Sequence, residues 1–250
     1  MSKIRDSIAA LRDRLLIRLG KKKLLTDPAA RRLHEACLAV DPGRVRRMPI
    51  TESRFVALDL ETTGLYPSLG DEIVSIALLE LSGLTFSGKR YTTLINPERH
   101  IPSSSSAIHG ISDADIQKAP TIDDALPEII AFLGNAVIIA HHANFDFRFL
   151  NKRLHRKAAS FLRNPWIDTM MLYGAWRRKQ FQCSLDEVAK NCGISDYGRH
   201  DAPRDAKIAG EIVQFLAPRL LPGSKETVGQ LIECQFDEYE RSFASPNPSC

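Results

Sequence analysis

The chain has 250 residues, 44% of them apolar, which suits one medium domain with a full core plus an appendage. Its five cysteines (Cys37, Cys183, Cys192, Cys234, Cys250) are scattered and form no C-x-x-C pair. That argues against a zinc site or disulfide framework and for a reducing compartment. No apolar run reaches the ~18 residues of a membrane span, and the N-terminus lacks a secretory signal pattern, so a cytoplasmic location is expected. The net charge of +4 is uneven: residues 1–50 carry 13 Lys/Arg against 5 Asp/Glu, and the other 200 carry 21 against 25.

Residues 1–50 read as a basic helical extension. Ile4, Ile8, Leu11, Leu15 and Leu19 recur at helical spacing up to Gly20, and a second helix is expected from Asp27-Pro28 to about Val40. Asp41-Pro-Gly43 reads as a turn. The segment is either a basic arm for nucleic acid or a partner, or an amphipathic hairpin packed on the main domain. The need to bury its apolar stripe favours the hairpin.

The main domain is expected over 51–220. Phe55–Gly64 reads as a buried strand that ends in a turn, and further strands are predicted at Ile73–Leu81 and Arg90–Ile95 as a meander, ended by Asn96-Pro97. Ile101–Gly110 reads as a polar loop with one histidine, and Asp123–Leu133 as a helix. Ala136–Ala140 is a short, wholly apolar strand, as in a buried parallel position. His141–Leu150 opens a helix, Trp166–Asp168 is a candidate fifth strand with Asp168-Thr169 as an N-cap, and Ser184–Glu187 fits a capping box ahead of a helix that ends at Gly193. A long helix opens at His200–Asp205, with Pro203 in its first turn. Residues 221–250 are expected to form a C-terminal helix, Val228 to about Arg241, and a disordered tail from Ser245.

Three carboxylate settings stand out. Alternation along a strand puts Asp59 and Glu61 on one face, about 7 Å apart, and Val56, Leu58 and Leu60 on the other. Two carboxylates ending an apolar strand repel each other and resist desolvation, so a cation between them is called for, and hard oxygen ligands suit Mg²⁺ or Mn²⁺. Asp146 shares a helical face with Phe149 and Leu150 directly after a buried strand, where open α/β sheets place ligands. Asp205 begins the face Ile208, Ala209, Ile212, and His200 lies five residues earlier. Each taken singly also reads as an ordinary strand-end, dipole-stabilising or helix-entry residue.

Asp59-x-Glu61-Thr-Thr-Gly64, His141-x-x-Asn144 with Asp146 and Phe149-Leu, and His200-x4-Asp205 together closely resemble the three motifs of the DEDDh 3′→5′ exonuclease family, which includes the proofreading ε subunit of bacterial DNA polymerase III. The resemblance covers roughly residues 52–218. It implies a ribonuclease H-like α/β fold: a mixed five-stranded sheet flanked by helices. It also implies two-metal phosphodiester hydrolysis with two Mg²⁺ or Mn²⁺ ions. In that scheme Asp59 bridges both ions, Glu61 and Asp205 hold the ion carrying the water, Asp146 supports the second, and His200 takes the proton from the water, as imidazole suits near neutral pH. Thr63, Gly64 and His109 are then candidates for contacting the terminal nucleotide.

The expected partner is a single-stranded nucleic acid 3′ end, DNA favoured over RNA, with a polymerase or other protein docking through the N- or C-terminal extension. Trimming of RNA 3′ ends, and a nuclease-like adaptor subunit, are the competing readings.

Overall fold

The computed structural model describes residues 26–178, 182–223 and 225–244, with side chains up to Phe236. The expected helix over 4–20 and the tail from Ser245 lie outside the described residues. Five strands form one mixed sheet in the order β3-β2-β1-β4-β5: β1 Arg54–Thr62, β2 Ile73–Ser82, β3 Thr85–Leu94, β4 Val137–Ala140 and β5 Trp166–Asp168. The first three run antiparallel as a meander, and β4 and β5 run parallel to β1 and to each other. The helices are α1 Pro28–Leu38, α2 Pro42–Arg47, α3 Ser103–His109, α4 Asp113–Ile116, α5 Ile122–Leu133, α6 Asn144–Ala158, α7 Thr169–Arg177, α8 Leu185–Asn191, α9 Ala202–Leu220 and α10 Val228–Ala244.

Two cores flank the sheet, and β1 serves both through its period of two. Val56, Leu58 and Leu60 join Leu33 of α1, Leu126 and Ile129 of α5, and Phe149 and Leu150 of α6. Phe55 and Ala57 face α7, α8, α9 and α10 through Leu172, Val188, Ile212 and Leu231. Asp59 and Glu61 continue this second row to the strand's end, where the ladder to β2 is irregular between Glu61 and Thr62. Such an irregularity re-aims the side chains at a strand end. Helix α9 lies close on the sheet because Gly210 has no side chain: a Cβ there would stand 2.6 Å from Cζ of Phe86.

The described part of the N-terminal extension is packed on the body. Leu33 and Cys37 of α1 are buried beside α5 and α6, and His34 Nδ1 lies 2.9 Å from the carbonyl oxygen of Ala158, at the end of α6. Val45 of α2 is buried against α10, and Met48 O accepts from Val228 N at 3.0 Å.

Three local expectations need correction. Asp41-Pro-Gly43 opens helix α2: Asp41 Oδ1 accepts from Arg44 N at 2.9 Å, so the Asp-Pro pair is an N-cap and first helical residue. Strand β3 begins at Thr85, five residues before the predicted start. It is the sheet's edge and largely exposed, so its first half has no apolar alternation to read. Ile101–Gly110 contains helix α3, closed by Gly110 at φ +72°. Its four serines suppress helix propensity, and none of its residues is buried. Among the described residues no helix is long and apolar enough to cross a membrane.

Candidate active site

Three elements converge at the C-terminal end of β1. Asp59 and Glu61 come from β1 itself, and Asp205 from the first turn of α9, with one carboxylate oxygen of each lying within 4.8 Å of the others. Asp146, 3% exposed, sits in the first turn of α6, which follows β4, the parallel neighbour of β1. The topology brings all four carboxylates together, although Asp59 and Asp205 are far apart in sequence.

The electrostatics are those of an acidic cluster that Arg199 compensates only in part. Burial, then the charges of Asp146, Asp205 and Glu61, hold the Asp59 carboxyl well above the usual carboxylate range. Burial and the neighbouring Asp205 push Glu61 up to about 7. Burial raises Asp146, and its own backbone N–H and the Leu60 backbone offset part of that. Burial also raises Asp205, opposed by the Arg199 charge and by the backbone N–H of His200. Arg199 Nε lies 3.2 Å from Asp205 Oδ1 and 3.1 Å from Asp186 Oδ1. Asp205 Oδ1 is buried and accepts no hydrogen bond. Hard carboxylate oxygens, mutual repulsion and an orphaned buried oxygen fit a divalent cation held by Asp59, Glu61 and Asp205.

Two histidines border the cluster. His200 is exposed, takes the left-handed backbone conformation at φ +63°, and donates its N–H to Asp205 Oδ2 at 3.2 Å. His109, at the end of α3, accepts from Ile111 N through Nδ1 at 3.1 Å. Its Nε2 is buried near the Thr62 backbone without completing a hydrogen bond. Burial lowers the His109 pKa, and the nearby His200 lowers it further. His141 is committed elsewhere: Nδ1 lies 2.9 Å from Thr169 Oγ1 and Nε2 lies 3.0 Å from the Cys183 carbonyl oxygen.

A model of the RNase_T family, described as exonuclease, matches residues 56–213, well over half of the chain and the whole of this site. The chain belongs to the RNase_T exonuclease family. Over 167 residues it is 32% identical to DNA polymerase III subunit epsilon of Aquifex aeolicus, covering 65% of this chain and 80% of that protein. It is 35% identical to a DNA polymerase III subunit epsilon-like protein of Rhodobacter capsulatus, covering 74% of this chain but only 26% of that longer relative. It spans 12% of the Thermotoga maritima DNA polymerase III PolC-type, again at 35% identity. Among solved structures, exonuclease X in complex with 5′ overhanging duplex DNA shares the fold at TM-score 0.54 and 23% identity, over 72% of this chain and 98% of that one. The nuclease domain of 3′hExo, a DEDDh family member bound to rAMP, shares it at TM-score 0.57 and 19% identity, over 70% and 95%.

In this exonuclease domain the loop after β1 is tightly tied. Thr63 is 2% exposed, and its hydroxyl donates to Asp71 Oδ1 and accepts from Glu72 N. The side chain of Thr63 is thus committed within the loop, and its carbonyl accepts from Ser105 Oγ of α3 at 2.9 Å. Gly64 lies under the Asp71 carboxylate: a Cβ there would stand 2.4 Å from Asp71 Oδ2. Beyond it Leu65, Tyr66 and Leu69 are exposed, as is Ile108 on α3.

Asp168 has a larger part than an N-cap. It does cap α7 through Met170 N at 3.0 Å. Its two oxygens also accept from His142 N at 3.1 Å and Ala143 N at 2.9 Å, which pins the turn that leads into Asp146. Sequence patterns do not single out Arg199 either, since its one signal is its place beside His200.

Proposed function

We propose that this chain is a divalent-metal-dependent 3′→5′ exonuclease that removes nucleotides from single-stranded DNA, in a polymerase-linked proofreading or repair role. The observation that carries this reading is the convergence of Asp59, Glu61 and Asp205 within 4.8 Å, with buried Asp146 behind them. The relatives named DNA polymerase III subunit epsilon support the link to a polymerase.

Asp59, Glu61 and Asp205 would hold one Mg²⁺ or Mn²⁺, and Asp146 with Asp59 a second. When bound, the ions would supply charge neutralisation on the scissile phosphate and a water of lowered pKa. His200 accepts the proton of that water. Its backbone is anchored on Asp205 while its ring stands in solvent, so the proton can leave. Gly64 and its neighbours Leu65 and Tyr66, with Ile108 and His109 of α3, which Ser105 ties to this loop, receive the terminal nucleotide. Exposed apolar side chains give stacking that every base accepts. Thr63 acts through the loop it braces.

The test is a gel assay on 5′-labelled single-stranded DNA and RNA of matched sequence, with Mg²⁺, Mn²⁺ or EDTA, beside Asp59→Ala. A ladder that shortens from the 3′ end only with metal, runs faster on DNA and is lost in Asp59→Ala is expected. No shortening of either strand with either metal overturns the reading.

A further inference from the structure

The part of the molecule outside the extension is net acidic, yet α6 carries Arg148, Lys152, Arg153, Arg156 and Lys157 against one carboxylate, Asp146. Three of these cations are ion-paired, with Lys152 and Arg153 sharing the single charge of Glu72. Lys152 Nζ lies 2.6 Å from Glu72 Oε1, Arg153 Nη2 lies 2.7 Å from Glu72 Oε2, and Lys157 Nζ lies 3.6 Å from Asp123 Oδ2. Arg148 and Arg156 are exposed and have no ion pair or hydrogen bond among the described residues. With Lys152 they form one row at i, i+4, i+8, about 6 Å apart along the axis.

This row is one wall of a groove of about 320 Å³, whose other wall is Pro67 and Ser68. That second wall belongs to the loop that leaves the acidic site after Gly64. The loop is held by Gly70 N on Pro67 O, Asp71 N on Tyr66 O and Lys152 Nζ on Asp71 O. The groove is therefore joined to the acidic site through this loop, which follows Glu61 and Gly64, while Arg148 lies on the outer face of α6, turned about 200° from buried Asp146, and the row runs about 12 Å along the axis from Arg148 to Arg156.

We propose that the Arg148–Lys152–Arg156 groove is a phosphate track that holds single-stranded DNA upstream of the scissile bond. The inference rests on the nuclease reading above. An acidic centre repels a polyanion, and a flanking row of preplaced cations offsets that repulsion through phosphate contacts and counterion release. The cations carry no base information, so the track is indifferent to sequence.

The test pairs two substrates for the intact chain and the double variant Arg148→Gln/Arg156→Gln. Binding of fluorescein-labelled dT16 is followed by anisotropy in EDTA across a salt series, and hydrolysis of the p-nitrophenyl ester of thymidine 5′-monophosphate with Mn²⁺ reads the acidic site alone. The variant should bind dT16 about tenfold more weakly, with a salt slope smaller by about 0.7 for each lost contact, while ester turnover stays within about twofold. Unchanged affinity and slope overturn the track, as does a proportional fall in ester turnover, which would put the arginines in the acidic site. A wild-type chain inert toward the ester, with the dT16 difference intact, would sink the nuclease reading and leave the groove standing.

Discussion

Arg199 Nε lies 3.2 Å from Asp205 Oδ1, and neither atom completes a hydrogen bond. The pair is an electrostatic stopgap. The guanidinium lowers the cost of ionising Asp59, Glu61 and Asp205 without satisfying any of them. Arg199→Gln should therefore destabilise the metal-free protein by about 1–3 kcal/mol at slightly alkaline pH. Most of that loss should return on adding Mg²⁺. Urea unfolding in EDTA and in Mg²⁺ measures both values, and equal losses in the two buffers would contradict the stopgap role.

The raised carboxylates set a pH dependence with a definite sign. Glu61 has a folded-state pKa of about 7, above its ordinary 4.5. Its contribution to stability is fully present below the unfolded value and is lost as pH rises through about 7. Asp59, Asp146 and Asp205 act in the same direction. In EDTA the Tm should fall between about pH 5 and pH 8, and a divalent cation should cancel the fall because it needs the ionised forms. Thermal melts by circular dichroism across this window decide the matter.

His200→Asn isolates the proton acceptor. Position 200 needs a left-handed backbone, which asparagine tolerates better than most residues, and the N–H to Asp205 survives. The expected result is a kcat lower by about 10²–10⁴ with an unchanged metal-induced rise in Tm. Full activity would remove His200 from the mechanism.

Gly64→Ala tests the loop after β1. The new methyl would meet Asp71 Oδ2 at 2.4 Å, and that carboxylate is anchored by Tyr66 N, Thr63 Oγ1 and Arg99 Nη1. Overpacking should cost about 1–3 kcal/mol, and the displaced loop should raise KM for oligonucleotides more than it lowers kcat. A variant of wild-type stability would mean that the loop yields freely.

Asp168→Ala removes three hydrogen bonds from a buried carboxylate and frees the turn before Asp146. A loss of about 2–4 kcal/mol is expected, together with weaker metal binding by isothermal titration. Asp168→Asn, which keeps the acceptor oxygen, should recover part of both.

The residues whose chemistry depends on local periodicity are legible in the amino-acid sequence. Alternation places Asp59 and Glu61 on one face of β1 and Leu58 and Leu60 on the other, and the cores divide along that line. Helical spacing puts Asp205 on the buried face of α9 with Ile208, Ala209 and Ile212. Where exposure erases the periodic signal, as in β3 and α3, the expected boundaries and element types fail.

The amino-acid sequence by itself determined the strand and helix carrying each carboxylate, the order of the motifs and so the family, because all of these are written in short-range patterns of polarity. The tertiary structure alone decided that Asp59, Glu61 and Asp205 meet within 4.8 Å, that Arg199 stands against them, that Asp168 braces the approach to Asp146, and that Arg148 and Arg156 face Pro67 across a groove. Each of these joins side chains from elements distant in the chain. The sheet order and the close seating of α9 bring them together, and no local propensity encodes such a contact.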